Sequence, residues 1–169
     1  MSTVFRRAVP DDAPDMARLV ASAWKKAYRG ILSDEILDGI NVEMRGQRMR
    51  NRIEADPDFW FYVLEAENEI VGVAGLCSAS DDGLPDVGEI MIFYIRPDKQ
   101  GQGFGKLMMT RALDTLHAMG YTHNVLWVLK ENHSARTFYE AMGFTLDGAE
   151  KIVEHLGDAP EVRYQNGGA

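Results

Sequence analysis

The chain has 169 residues, of which 46% are hydrophobic, 26% charged and 9% aromatic, a length and balance that suit one globular domain with a core of its own. Lysines and arginines number 18 against 26 aspartates and glutamates, a net charge of -8 at pH 7; that excludes the basic footprint of a duplex nucleic-acid binder and disfavours an electrostatic hold on anionic lipid. No run approaches the ~18 consecutive apolar residues of a membrane helix, Met1 to Arg7 lacks the apolar stretch of a signal peptide, and a lone cysteine, Cys77, can make neither an internal disulfide nor a Cys-rich zinc site.

These features predict a cytoplasmic protein with one domain over residues 1–166, a disordered tail at 167–169, and no nucleic-acid or membrane partner. In chain order, Phe5 to Ala8 predicts a strand ended by Pro10. Asp11 or Asp12 can cap the next segment, where Met16, Leu19, Val20, Ala23, Trp24, Ala27 and Tyr28 fall on one helical stripe before Gly30 stops it. Ser33 opens a second helix, with Glu35 in its first turn, that runs towards Ile53 and is broken at Asp56-Pro57. The period then changes. Phe59 to Glu65 and Ile70 to Cys77 are β-rich runs joined as a hairpin through Glu67-Asn68-Glu69.

Residues 80–87 form a loop by composition. Glu89 to Ile95 is nearly all apolar, the pattern of a strand buried on both faces. After a glycine-rich loop, Phe104, Leu107, Met108, Ala112, Leu116 and Met119 repeat at helical spacing up to Gly120. Asn124 to Leu129 predicts a strand, Asn132 to Met142 a short helix, and Thr145 to Glu154 with Glu161 to Gln165 a hairpin about Gly157-Asp158. The order β-α-α-β-β-β-α-β-α-β-β is mixed α/β and lacks the regular alternation of a doubly wound fold.

The sharpest local feature is the run Arg96-Pro97-Asp98-Lys99-Gln100-Gly101-Gln102-Gly103-Phe104-Gly105-Lys106. Glycines on alternate positions let backbone N–H groups approach an anion, and the helix that follows adds its positive end. The dinucleotide fingerprint does not fit, because the third glycine comes one place early and the loop does not follow the strand directly. The nucleotide loop ending in Lys-Ser/Thr is absent, since Leu107 follows Lys106. By itself the run describes either a diphosphate cradle or a tight strand-to-helix turn.

Gln100-Gly101-Gln102-Gly103-Phe104-Gly105 resembles the Gln/Arg-x-x-Gly-x-Gly/Ala signature of the GCN5-related N-acetyltransferases. Asn132, Ala135, Phe138, Tyr139, Gly143 and Phe144 match that family's later Asn-x-x-Ala-x-x-Phe-Tyr-x-x-x-Gly-Phe element. Together the two motifs span roughly the second half of the chain; the first half is similar only in outline. The fold so implied is the α/β acyl-CoA N-acyltransferase type, a mixed but mostly antiparallel sheet of about seven strands with about four helices. The implied co-substrate is acetyl-CoA, with no metal.

By the same resemblance, the backbone amides of Gln102, Gly103, Gly105 and Lys106, in the loop with Gly101 and Phe104 and aided by Gln100, hold the diphosphate. Phe93, Tyr94 and Ile95 pair with the pantetheine like an added strand, a bulge there splays two parallel strands, and the N–H near Phe93 polarises the thioester carbonyl. Asn132 contacts the pantetheine arm, at the start of the helix that carries Ala135.

Direct transfer from a thioester to an amine needs a neutral amine and a proton for the departing thiolate. Periodicity alone makes Tyr139 a core residue on the stripe Ala135, Phe138, Tyr139, Met142; the resemblance puts its hydroxyl at the sulfur as the acid. Glu89 is either an end-of-strand charge or, by the resemblance, the general base. The histidines His117, His123, His133 and His155 show no ligand spacing, and the small neighbours of Cys77 suit a buried strand residue better than a nucleophile.

Trp24 and Tyr28, four residues apart, either wall the acceptor site or pack their helix. Asp81, Asp82, Asp86 and Glu89 concentrate acid near the expected amine entrance. The leading expectation is an N-acetyltransferase for a small-molecule amine, for which a homodimer is compatible. The alternatives are a protein lysine or N-terminal acetyltransferase, and a non-catalytic acyl-CoA-binding module.

Overall fold

The computed structural model describes residues 2–79, 84 and 86–167. Seven strands, β1 (Thr3–Arg7), β2 (Phe59–Ala66), β3 (Glu69–Ser78), β4 (Gly88–Ile95), β5 (His123–Leu129), β6 (Thr145–Val153) and β7 (Ala159–Gly167), form one sheet in the order β1-β2-β3-β4-β5-β7-β6. Every neighbouring pair is antiparallel except β4 and β5. The helices are α1 (Ala13–Tyr28), α2 (Asp34–Asp38), α3 (Val42–Ala55), α4 (Phe104–Ala118) and α5 (His133–Ala141). Among the described residues no helix is long and apolar enough to cross a membrane.

The sheet separates two apolar layers, because side chains alternate faces along each strand. Phe59, Phe61 and Val63 of β2 pack with Met16, Leu19 and Val20 of α1 and Met49 of α3. On the opposite face Met109, Ala112 and Leu116 of α4 cluster with Leu126, Val128, Tyr164 and Tyr139 of α5. The β2–β3 hairpin turns through Glu67 and Asn68, both with positive φ (54° and 66°), the two-residue geometry whose twist matches that of antiparallel strands.

Four local expectations are corrected. The segment from Ser33 to Ile53 is two helices, which raises the helix count to five: α2 ends at Gly39, and the Asn41 side chain accepts from the Met44 N–H at 2.9 Å to start α3. Asp12 does not cap α1 with its side chain, which instead accepts from the Val9 N–H at 2.8 Å and from Arg6. Gly167, placed in the tail by composition, pairs with His123 at the end of β7. β4 is not buried on both faces along its length: Gly88 to Ile90 and Ile95 are buried, whereas Met91 is 45% exposed and Ile92 to Tyr94 are half-buried.

Candidate active site

The exposure within β4 follows from strand pairing. β4 and β5 are partners only at Gly88–Asn124 and Glu89–Val125. On its other side β4 stays paired with β3 as far as Ile95, but the register shifts between Gly75–Ile92 and Leu76–Ile90, leaving Met91 as the extra residue of a bulge. Beyond Glu89, the edge of β4 that would face β5 therefore has no strand partner. It lines a cleft with unpaired backbone groups, which only an extended ligand or water can satisfy.

The glycine-rich loop follows that edge after a 3-10 turn at Pro97–Lys99. Gly101 and Gly103 have φ of +76° and +89°, and a Cβ at either would meet nothing within 4 Å, so the loop opens outwards. Gly103 precedes the first turn of α4 without a side-chain cap. Among the described residues, the N–H groups of Gln102, Gly103, Gly105 and Lys106 donate to no protein acceptor. Open space, unclaimed donors and a helix N-terminus together fit a diphosphate. Phe104 is buried beneath the loop against Met108 and Leu64, leaving only its backbone outside.

The Gln100 side chain braces this loop from behind. Its Nε2 donates to the Ile95 carbonyl at 3.2 Å, and its Oε1 accepts from Lys26 Nζ at 3.0 Å. The amide side chain expected on the diphosphate is thus committed to holding the loop against β4 and α1.

On the α4–α5 face, Tyr139 is buried in an aromatic cluster. Its ring lies 6.4 Å from Phe93, 5.6 Å from Phe138, 6.2 Å from Phe144 and 6.2 Å from Tyr164, centroid to centroid. Burial, with a smaller contribution from the neighbouring Tyr94, pushes its phenol well above the usual tyrosine range, so it keeps its proton at neutral pH. Asn132 is buried and accepts from the Ala135 N–H at 3.3 Å, capping α5 and thereby fixing the helix that carries Tyr139. Tyr139 thus packs the core, with its hydroxyl within electrostatic reach of Tyr94 on β4.

Tyr94 points to the opposite, α1 face. Its hydroxyl is 2.8 Å from that of Tyr28, and Trp24 stacks edge-on against Tyr28 at 5.1 Å. The Trp24 indole N–H adds to the polar surroundings of Tyr94 without reaching hydrogen-bond geometry. Beside this cluster lies a hollow of about 250 Å³ lined by Leu32, Ser33, Leu129, Glu131, Asp158 and Pro160 among others. Glu89 is buried at the last step of the β4–β5 ladder, directly opposite Cys77 on β3. Burial, and then Glu89, push the Cys77 thiol up to about 12, which keeps it a protonated, unreactive core group. Asp86 is exposed; Asp81 and Asp82 lie outside the described residues.

Two charged residues near this cluster carry no signal in the sequence. Arg45 of α3 lies 4.7 Å over the Trp24 ring, and Glu161 of β7, half-buried opposite Leu129, acts electrostatically on both Tyr28 and Tyr94. Neither belongs to a motif, and only the packing of α3 and β7 brings them here.

The acetyltransferase (GNAT) family matches residues 12–144 of the chain. A probable N-acetyltransferase of Mycobacterium tuberculosis is 27% identical over 164 residues, 95% of this chain and 91% of that one. A spermidine N(1)-acetyltransferase of Thermoplasma acidophilum is 23% identical over 161 residues, 91% of this chain and 97% of that one. Among solved structures, the PaiA N-acetyltransferase of Thermoplasma acidophilum in complex with coenzyme A superposes with a TM-score of 0.82 at 20% identity, covering 99% of this chain and 100% of that one.

Proposed function

The chain belongs to the GNAT acetyltransferase family and is an acetyl-CoA-dependent acyltransferase, and from this premise we propose that it acetylates the primary amine of a small molecule by direct transfer. The observation that supports the reading is the parting of β4 and β5 after Glu89–Val125, which leaves the rest of that β4 edge without a strand partner ahead of the loop amides; in this reading Tyr139 serves the same cleft. Acetyl-CoA bound there supplies an activated acetyl thioester.

The residues divide the work by position. The amides of Gln102, Gly103, Gly105 and Lys106 hold the diphosphate, with Gln100 fixing the loop from behind. The free edge of β4 from Phe93 to Ile95 orients the pantetheine, and the Phe93 N–H stabilises charge developing on the acyl oxygen, an effect commonly worth ~3 kcal/mol. Tyr139 holds a proton at its phenol and delivers it to the departing thiolate. Glu89, buried at the head of the cleft, accepts the proton of the amine.

The acceptor enters from the α1 face, where Trp24, Tyr28 and Tyr94 form an aromatic wall. The neighbouring hollow of about 250 Å³ suits a small amine better than a folded protein, and the relative that acetylates spermidine supports a small-molecule acceptor. The test is coenzyme A thiol release with acetyl-CoA and a panel of small amines and lysine peptides. Release with a small amine is expected; release with peptides alone would sink the reading.

A further inference from the structure

We propose that the acceptor carries a carboxylate in addition to its amine, and that Arg45 holds this carboxylate; the inference rests on the amine-acetylating reading above. Arg45 is half-buried, with its guanidinium against the Trp24 ring. Among the described residues it makes no ion pair and donates no side-chain hydrogen bond. Arg6 pairs with Asp12 and Glu65, Arg29 with Asp34 and Asp38, Arg50 with Asp11, Arg52 with Asp56, and Arg96 with Glu69 and Asp98. Arg7, Arg48 and Arg111 also have no acid partner among the described residues but are exposed, and Arg136 donates to Tyr164 and the Lys130 carbonyl.

The chain has 26 acidic side chains to 18 basic ones, so acids to neutralise an arginine are plentiful. Leaving one guanidinium partly desolvated and without an acid is unfavourable unless something else meets it. The groups acting on Arg45 are the hydroxyls of Tyr94 and Tyr28 and the like charge of Arg48, with no carboxylate among them. A planar guanidinium accepts a carboxylate in two parallel bonds, and the Trp24 indole N–H, buried without a hydrogen-bond partner, is a further donor beside it.

The opposite charge is present close by. Glu161 acts on the same Tyr94 hydroxyl as Arg45 does. A cation and an anion thus both act on Tyr94, the anion also lying 3.9 Å from Lys151 Nζ. That arrangement complements an amino carboxylate, with its anionic end on Arg45 and its amine towards the acids and the cleft. A polyamine would instead place a cation against a guanidinium.

The test uses the full chain and pairs of probes differing only in the carboxylate: L-lysine against cadaverine, L-ornithine against putrescine, and the aromatic amino acids against their decarboxylated amines. Isothermal calorimetry should find at least one amino acid binding about tenfold or more tighter than its amine. Arg45→Gln should abolish that preference by weakening the amino acid's binding and not the amine's, while Arg45→Lys, which keeps the charge, should retain much of it. No preference for any amino acid, or equal loss in Gln and Lys variants, would overturn the proposal and leave Arg45 as a cover for Trp24. Thiol release is measured separately: carboxylate binding without release would sink the acetyl-transfer reading alone, and release confined to the decarboxylated amines would sink only the carboxylate site.

Discussion

The phenolic oxygens of Tyr28 and Tyr94 stand 2.8 Å apart, one on the last turn of α1 and the other on the part of β4 that β5 leaves unpaired. This bond ties the acceptor-side helix to the cleft strand. Burial raises both phenols, so the bond joins two neutral hydroxyls. Replacing either by phenylalanine strands the other, which should cost ~1–3 kcal/mol. The double variant should cost less than the sum of the singles. Denaturant unfolding of the full cycle checks this, and strict additivity would mean the bond carries no coupling.

Tyr139→Phe keeps the ring among Phe93, Phe138, Phe144 and Tyr164 and deletes only the hydroxyl. General-acid help is commonly worth ~10²–10⁴-fold, so kcat should fall by that order. Melting temperature and acetyl-CoA affinity should hardly move. A wild-type rate would leave Tyr139 with its packing role only.

Gly103 tests the diphosphate cradle. With φ at +89° and nothing within 4 Å of a Cβ, Gly103 has open space beside the loop amides for the start of a side chain. Asparagine tolerates this conformation better than other residues, whereas valine would add strain from its branched Cβ. Gly103→Asn should therefore fold normally and bind acetyl-CoA at least ~10-fold more weakly, as calorimetry can show. Unchanged affinity would displace the cradle from this loop.

The Arg6–Asp12 pair gives a stability signature at low pH. The Arg6 guanidinium, donating at 2.8 Å, holds the Asp12 carboxyl below the usual carboxylate range. A depressed folded-state pKa means stability that is present above the unfolded value of ~3.9 and lost as pH falls through the folded one. Asp12→Asn should lower the melting temperature at neutral pH, by less than ~1 kcal/mol in stability for so solvent-screened a pair. Its melting curve should be flatter than the wild type's below pH ~4; parallel curves would assign the acid loss to other carboxylates.

The local periods of the chain determine the element order: the stripe from Met16 to Tyr28, the β-runs flanking Glu67-Asn68, and the glycines of residues 101–105 each encode their structure within a few neighbouring positions. Local pattern put Tyr139 on a buried helical stripe and marked the glycine-rich turn, while the roles expected of both came from the family resemblance. The break at Gly39 was not legible, and the bulge in β4 and its separation from β5 came only from the family resemblance, since EIMIFYI by itself has the composition of a fully paired strand. Which residues stay paired depends on a partner strand 36 positions away and on the register that packing imposes. The same holds for Arg45 and Glu161: a charge becomes part of a site only when the fold decides which opposite charges it can and cannot reach.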